Sequence, residues 1–258
     1  MIRVFEKDKE KLLEYLSLEP YFNIYIFGDL ELFGLSSDTV KIFVDNEDEI
    51  SCAVMEYAGD YVVYSHKNNF DAKVVAEHIK GGTEYHDACI SGKGSTVQLL
   101  AKYLPEKTLR RTMLACFEGD VPSLCAEVER LGEGDAQGLL GLYLEIEEFA
   151  AKYRAGGEQR VARELKNGRT FAIRGDAGEL VAAASSTAES ATGAMITNVC
   201  THPLHRRKGL AEKIIRTLIA SIKGEEIESV CLYYDNPDAA KLYKKLGFAD
   251  KGEYMTLR

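Results

Sequence analysis

Val199-Cys200-Thr201-His202-Pro203-Leu204-His205-Arg206-Arg207-Lys208-Gly209-Leu210-Ala211 joins an apolar β-type run to an amphipathic helical pattern. The run before it is Ala194-Met195-Ile196-Thr197-Asn198-Val199-Cys200. The pattern after it is Glu212-Lys213-Ile214-Ile215-Arg216-Thr217-Leu218-Ile219. A strand, a basic Gly-containing turn and a helix start make a device for holding phosphate. The first N–H groups of a helix have no partner within it, and the helix dipole favours negative charge there. Gly209 lets the backbone approach a ligand closely, Ala211 keeps the next position open, and Arg206, Arg207 and Lys208 add cationic charge.

A partner segment lies downstream. Residues 227–248 read IESVCLYYDNPDAAKLYKKLGF. Ser229 to Tyr234 reads as a strand, Asn236-Pro237 as a helix entry, and Gly247 as a left-handed helix end with Phe248 packing behind it.

Together the two segments resemble the GNAT superfamily of acyl-CoA N-acyltransferases. The acyl-CoA signature of that family, Arg/Gln-x-x-Gly-x-Gly/Ala, appears as Arg206 to Ala211. Its last block, N-x-x-A-x-x-L-Y-x-K-x-G-F, is matched by Asn236, Ala239, Leu242, Tyr243, Lys245, Gly247 and Phe248. The resemblance covers roughly residues 127–258.

The element pattern occurs twice. In the first half, helical patterns at 7–17 and 21–33 precede strand-like runs at 40–44, 50–57 and 61–65, with Gly59-Asp60 as a hairpin turn. A helix near 70–80, a strand near 85–91 and a helix near 95–104 follow. In the second half, Asp135 reads as an N-cap for helical patterns at 136–148 and 157–167, broken at Gly156-Gly157. Strands at 170–174, 179–188 and 194–200 come next, then a helix at 208–223, a strand at 228–234, a helix at 237–246 and a closing strand at 253–257. Thr108 to Phe117 reads as a strand linking the halves. The expected fold is therefore α/β (α+β): two tandem GNAT-like units, each a mixed, mainly antiparallel sheet flanked by helices. Residues 1–120 form a unit without the signature, and 121–258 form the acetyltransferase unit. Glycine N-acyltransferase-like proteins resemble this plan. Ser91-Gly92-Lys93-Gly94-Ser95-Thr96 lacks the spacing of a nucleotide-binding loop, and reads as a turn in which Ser95 or Thr96 caps a helix.

With 46% hydrophobic residues the chain can bury a substantial core. The net charge of −9, concentrated in residues 1–120, argues against nucleic-acid binding. Met1-Ile2-Arg3-Val4-Phe5-Glu6 turns charged at once, and no run approaches the roughly 18 apolar residues of a membrane span. The expected location is the cytoplasm, without membrane association. The six cysteines form no CxxC pair and read as reduced, buried thiols; no metal ligand set is visible.

The resemblance implies how a site would work. Backbone groups of Asn198, Val199, Cys200 and Thr201 would pair with the pantetheine arm of acetyl-CoA or another acyl-CoA. N–H groups from Arg207 through Lys208, Gly209 and Leu210 to Ala211 would hold the pyrophosphate, with Arg206 ordering the turn or reaching phosphate. Asn236 would contact the pantetheine or sulfur region, cap the helix, or do both. Tyr243 would protonate the departing thiolate, for which a phenol of pKa about 10 is suited. The base stays open: Glu145, Glu147 and Glu148 lie near the first helix junction, His202 and His205 flank the turn, and a water chain is an alternative. The acceptor would be a small-molecule amine or a peptide amine, and the chain a monomer or a homodimer. The alternative reading is a CoA-binding regulatory or scaffolding protein without turnover.

Overall fold

A computed structural model describes residues 1–82 and 85–258. In chain order the elements are β1 (Ile2–Arg3), α1 (Lys9–Leu16), α2 (Ile24–Phe33), β2 (Val40–Val44), β3 (Ala53–Tyr57), β4 (Asp60–Tyr64), α3 (Ala72–Lys80), β5 (Ile90–Lys93), α4 (Gly94–Ala101) and β6 (Leu109–Phe117). There follow β7 (Glu129–Arg130), α5 (Ala136–Leu144), α6 (Glu147–Asn167), β8 (Thr170–Arg174), β9 (Leu180–Thr187), β10 (Gly193–Thr201), α7 (Leu210–Lys223), β11 (Ser229–Tyr234), α8 (Pro237–Lys245) and β12 (Phe248–Leu257).

These elements divide into two compact units. The first holds Met1–Cys116 together with Tyr233–Pro237 and Asp250–Arg258; the second holds Phe117–Leu232 and Asp238–Ala249. Both show the same sequence of pairings. In the first unit β2, β3 and β4 form an antiparallel meander, and α3 then carries the chain to β5, which runs parallel to β4. In the second, β8, β9 and β10 form the meander, and α7 carries the chain to β11, parallel to β10. Each unit is thus a mixed, mainly antiparallel sheet flanked by helices. The tandem reading of the fold holds.

The end of the chain was expected to stay with the second half. Instead β12, from Tyr254 to Leu257, pairs antiparallel with Lys93 to Ile90 of β5. The amide of Thr108 donates to Arg258 O (2.6 Å), and the Arg258 amide donates back to Thr108 O (3.1 Å). Met255 and Leu257 are buried in the core of the first unit, beside Val54, Val63, Ile79 and Leu100. Leu257 is fully inaccessible, which leaves water no place on that apolar side chain.

Helix α7 shows why the 3.6-residue pattern reads so clearly. Ile214, Ile215, Leu218, Ile219 and Ile222 are all completely buried on one stripe. Strand β9 supplies the flat partner. Every residue from Leu180 to Ser186 is buried, so both faces of the strand are covered, and the run of small side chains in Ala182-Ala183-Ala184 allows close approach.

Local corrections have local causes. The β3–β4 hairpin turns at Ala58-Gly59, one residue before the expected pair: Tyr57 faces Asp60, and Ala58 and Gly59 both take positive φ (49° and 86°), as a two-residue primed turn requires. Strand β5 starts at Ile90 because residues 85–87 form a turn. Helix α4 begins at Gly94, so neither Ser95 nor Thr96 caps it; Thr96 is buried and bonds Asn68 Oδ1 (2.9 Å). Asp135 stands at the N-cap of α5, as expected, but its side chain makes no capping bond to that helix; it accepts from the Gly132 amide (3.0 Å) and pairs with Arg174 (2.8 Å). Helix α6 keeps the expected break, with Gly157 at φ 56°, ψ −160°. Cys116 and Cys231 are not free thiols, against the expectation of six reduced cysteines. Cys52, Cys89, Cys125 and Cys200 are free thiols.

Candidate functional site

The second unit places residues 198–211 around one feature, the end of β10 and the start of α7. Strand β10 pairs with β9 at Thr197↔Ser185, then shifts register and resumes at Cys200↔Ala183. Asn198 and Val199 form the bulge between. Asn198 takes φ +50°, a left-handed conformation that Asn tolerates better than most residues. On its other edge β10 runs parallel to β11 only as far as Ile196↔Leu232. Past that point, among the described residues, the backbone of Thr197 to Thr201 has a ladder on the β9 side alone. A strand edge with unspent donors and acceptors can take an amide-bearing ligand as it would another strand.

The turn that follows is tight. Pro203–His205 makes a short 3-10 turn, within which His202 Nδ1 accepts from the Leu204 amide (3.3 Å). The two histidines therefore build the turn, their rings 5.7 Å apart. Arg206 turns its guanidinium back to Thr201 O (3.2 Å), tying the end of the strand to the turn. Arg207 (φ +63°) and Gly209 (φ +76°) both adopt positive φ. Alternating handedness of this kind curls successive N–H groups toward one point. The Gly209 carbonyl accepts the first helical bond of α7, from Lys213 (3.2 Å). Among the described residues, the N–H groups of Arg207 through Glu212 have no acceptor. No carboxylate pairs with Arg206, Arg207 or Lys208 there, and a Cβ on Gly209 would meet nothing within 4 Å. The residues present fit a diphosphate: open space, converging donors and unpaired cations.

Tyr243 lies on α8, 7% exposed, its ring 5.9 Å from that of Phe248. Burial pushes its phenol up to about 12, so it holds its proton at neutral pH. Lys245 of α8 pairs with Glu212 in the first turn of α7 (2.6 Å), tying the two helices of the second unit together. The Lys245 ammonium beside Glu212 holds that carboxyl below its usual range. Cys200 is buried and its thiol is pushed up to about 12 by desolvation, which removes the thiolate that nucleophilic catalysis requires. Asn236 is exposed, directly before α8, in the Tyr233–Pro237 stretch that groups with the first unit.

Glu145, Glu147 and Glu148 are all exposed at the surface. The acidic side chain that reaches β10 is a different one, Glu164 of α6. It accepts from Tyr153 Oη (2.7 Å), from Arg160 Nε (3.1 Å) and from Asn198 Nδ2 on the bulge (3.4 Å), with Lys152 Nζ 3.7 Å away. Tyr153 is fully buried and packs against Tyr143, with ring centroids 4.3 Å apart. The i,i+4 pair Arg160–Glu164 is visible in the sequence. The link to Asn198 is not, because it spans 34 residues. Among the described residues no cluster of three or more potential metal ligands exists, and no helix is long and apolar enough to cross a membrane.

Residues 159–257 match the model of the GNAT acetyltransferase family. The chain is also 36% identical over 70 residues to an uncharacterized N-acetyltransferase, ycf52, of Pyropia yezoensis; this covers 27% of the chain and 40% of that relative's length. Among solved structures, a GCN5-related N-acetyltransferase from Kribbella flavida has a TM-score of 0.60 at 20% identity, over 91% of this chain and 94% of its own. A tandem GNAT protein from the clavulanic acid biosynthesis pathway has a TM-score of 0.57 at 14% identity, over 99% of this chain and 96% of its own. At such identities the likeness is one of fold. It extends over the whole chain, the first unit included, whereas the GNAT sequence match begins only at residue 159.

Proposed function

We propose that the protein transfers an acyl group, most simply acetyl, from acyl-CoA directly to an amine. The observation that carries this reading is the turn at Arg206 to Ala211, where free N–H groups, unpaired cations and an open left-handed glycine converge at the start of α7. The match of residues 159–257 to the GNAT acetyltransferase family model supports acyl transfer in general. The free edge of β10 from Asn198 to Thr201 suits the amides of pantetheine, and Asn236 is assigned to the same arm. At this strand a backbone N–H near Val199 or Cys200 polarises the thioester carbonyl.

The chemistry balances without a covalent enzyme intermediate. The amine nitrogen bonds to the thioester carbon, the C–S bond breaks, and the sulfur leaves with its electron pair. Tyr243 donates its phenolic proton to that thiolate and is reprotonated from solvent. The attacking nitrogen sheds its proton to water. Glu164 keeps the Asn198 side chain in place and acts as a positioning residue for the bulge.

Calorimetric titration with acetyl-CoA, comparing the unaltered chain with Gly209→Glu, tests the reading. A carboxylate placed among the converging N–H groups should lower affinity about 100-fold or more. Tyr243→Phe should leave acyl-CoA affinity within about threefold while lowering kcat roughly 100-fold, the usual weight of one general acid. An intact, folded chain that binds no acyl-CoA would sink the proposal.

A further inference from the structure

The first unit contains a cluster of side chains that the acyl-transfer reading does not use. Tyr25 and Asp29 stand one helical turn apart on α2. Tyr233, from the Tyr233–Pro237 stretch, lays its ring almost parallel to that of Tyr25, with centroids 6.3 Å apart and planes at 20°. Tyr254 of β12 also packs against Tyr233, with ring centroids 4.3 Å apart.

These rings differ from an ordinary packed core in three ways. Tyr25 and Tyr233 are each half-buried, so part of both side chains remains open to solvent. The Tyr254 hydroxyl bonds Ser91 Oγ (3.1 Å), whereas the Tyr233 hydroxyl beside it is buried with no hydrogen-bond partner. An unpaired buried hydroxyl costs free energy until something bonds it. Thirdly, among the described residues no Lys, Arg or His nitrogen pairs with Asp29, although it is half-buried. The nearby cations are already engaged: Lys251 lies over the Tyr21 ring (5.7 Å), and Arg110 is paired with Asp235 (2.5 Å).

Electron-rich ring faces, an uncompensated carboxylate and an orphaned hydroxyl call for the same occupant. We propose that Tyr25, Asp29, Tyr233 and Tyr254 form a binding site for an alkylammonium ion. The charge of such an ion offsets Asp29 and lies against the faces of Tyr25 and Tyr233, and one N–H donates to the Tyr233 hydroxyl. The alkyl chain covers apolar ring surface. This inference stands independently of acyl transfer, since it concerns the first unit and a ligand that contains no CoA.

Binding of n-butylammonium to the full chain, without CoA, is measured by ligand-observed NMR and compared with n-butanol, a neutral ligand of similar size. The ammonium should bind at least about tenfold more tightly. Asp29→Asn should abolish that preference, and Tyr233→Phe, which keeps the ring, should weaken the ammonium about threefold to tenfold while leaving the alcohol unchanged. Equal binding of the two ligands, no ammonium binding at millimolar concentration, or a preference that survives Asp29→Asn in a folded chain would overturn the proposal. The ammonium-to-alcohol ratio in the unaltered chain needs no variant, so a folding defect cannot mask the answer. Acetyl-CoA titration of the same samples keeps a failure here distinct from a failure of the acyl-transfer reading.

Discussion

Asp29 illustrates how one residue sets a pH dependence. Desolvation raises its carboxyl from an ordinary 3.8 to about 6. Between those values the folded chain keeps a proton that the unfolded chain has lost. Its contribution to stability is therefore full below pH 3.8 and is lost as pH rises through 6. Because the group is partly exposed, the loss is taken as about 1 kcal/mol, less than the full shift would imply. Asp29→Asn should accordingly raise the denaturant midpoint at pH 7.5 and leave it unchanged at pH 3.5, as chemical unfolding at the two pH values would show. A drop at pH 7.5 would mean that the carboxylate is structural. The same scale explains what sequence could show of the candidate site. Arg206 to Ala211 and Tyr243 announce themselves because a local motif does local work: a turn, a helix start and a phenol at fixed spacing. Glu164 stayed hidden because its bonds to Tyr153 and Asn198 cross a glycine break and a strand, and no periodicity connects such positions.

Among elements, the two β–α–β crossovers carry the contrast between the units. In the second, β10 and β11 stop pairing at Ile196↔Leu232, and α7 opens on Gly209 with its amides free. In the first, β4 and β5 stay paired to Val63↔Gly92, and Gly92 (φ +155°) lies so close that a Cβ would stand 1.9 Å from Val63 O. Gly92→Ala should therefore cost about 3 kcal/mol or more, since the obstacle is backbone and cannot rotate away. Urea unfolding would check this, and a loss under 1 kcal/mol would show that β4 and β5 separate more readily than their pairing implies. Helix α3 also differs at its start. The Asp71 side chain accepts from the amides of Lys73 (2.9 Å) and Val74 (3.2 Å), so a carboxylate of the chain itself occupies the place where an anionic ligand would sit. Nearby, Lys93 is spent on Glu19 (2.5 Å) and on His66 O (2.9 Å).

For the whole molecule, these contrasts predict one acyl-CoA per chain, held by the second unit. Calorimetry should return a stoichiometry near one for the unaltered chain and for Asp71→Ala; two sites would overturn the division of labour. The doubled plan of helices, meander and crossover was legible from residues 7–33 and 40–104 set against 136–167 and 170–246, because apolar periodicity is a local property imposed by each element's buried face. The phosphate-type turn was legible for the same reason, since Gly209 and the basic residues before it are neighbours in the chain. Tertiary structure alone decided the rest. It sends β12 beside β5, where Leu257 is buried with Ile79 and Leu100, and it brings Tyr233 and Tyr254 to the α2 face that bears Tyr25 and Asp29. Those partners are separated by 150 residues or more, and their meeting depends on which apolar surfaces close on one another. A hydrophobic stripe records that it will be buried but not against what.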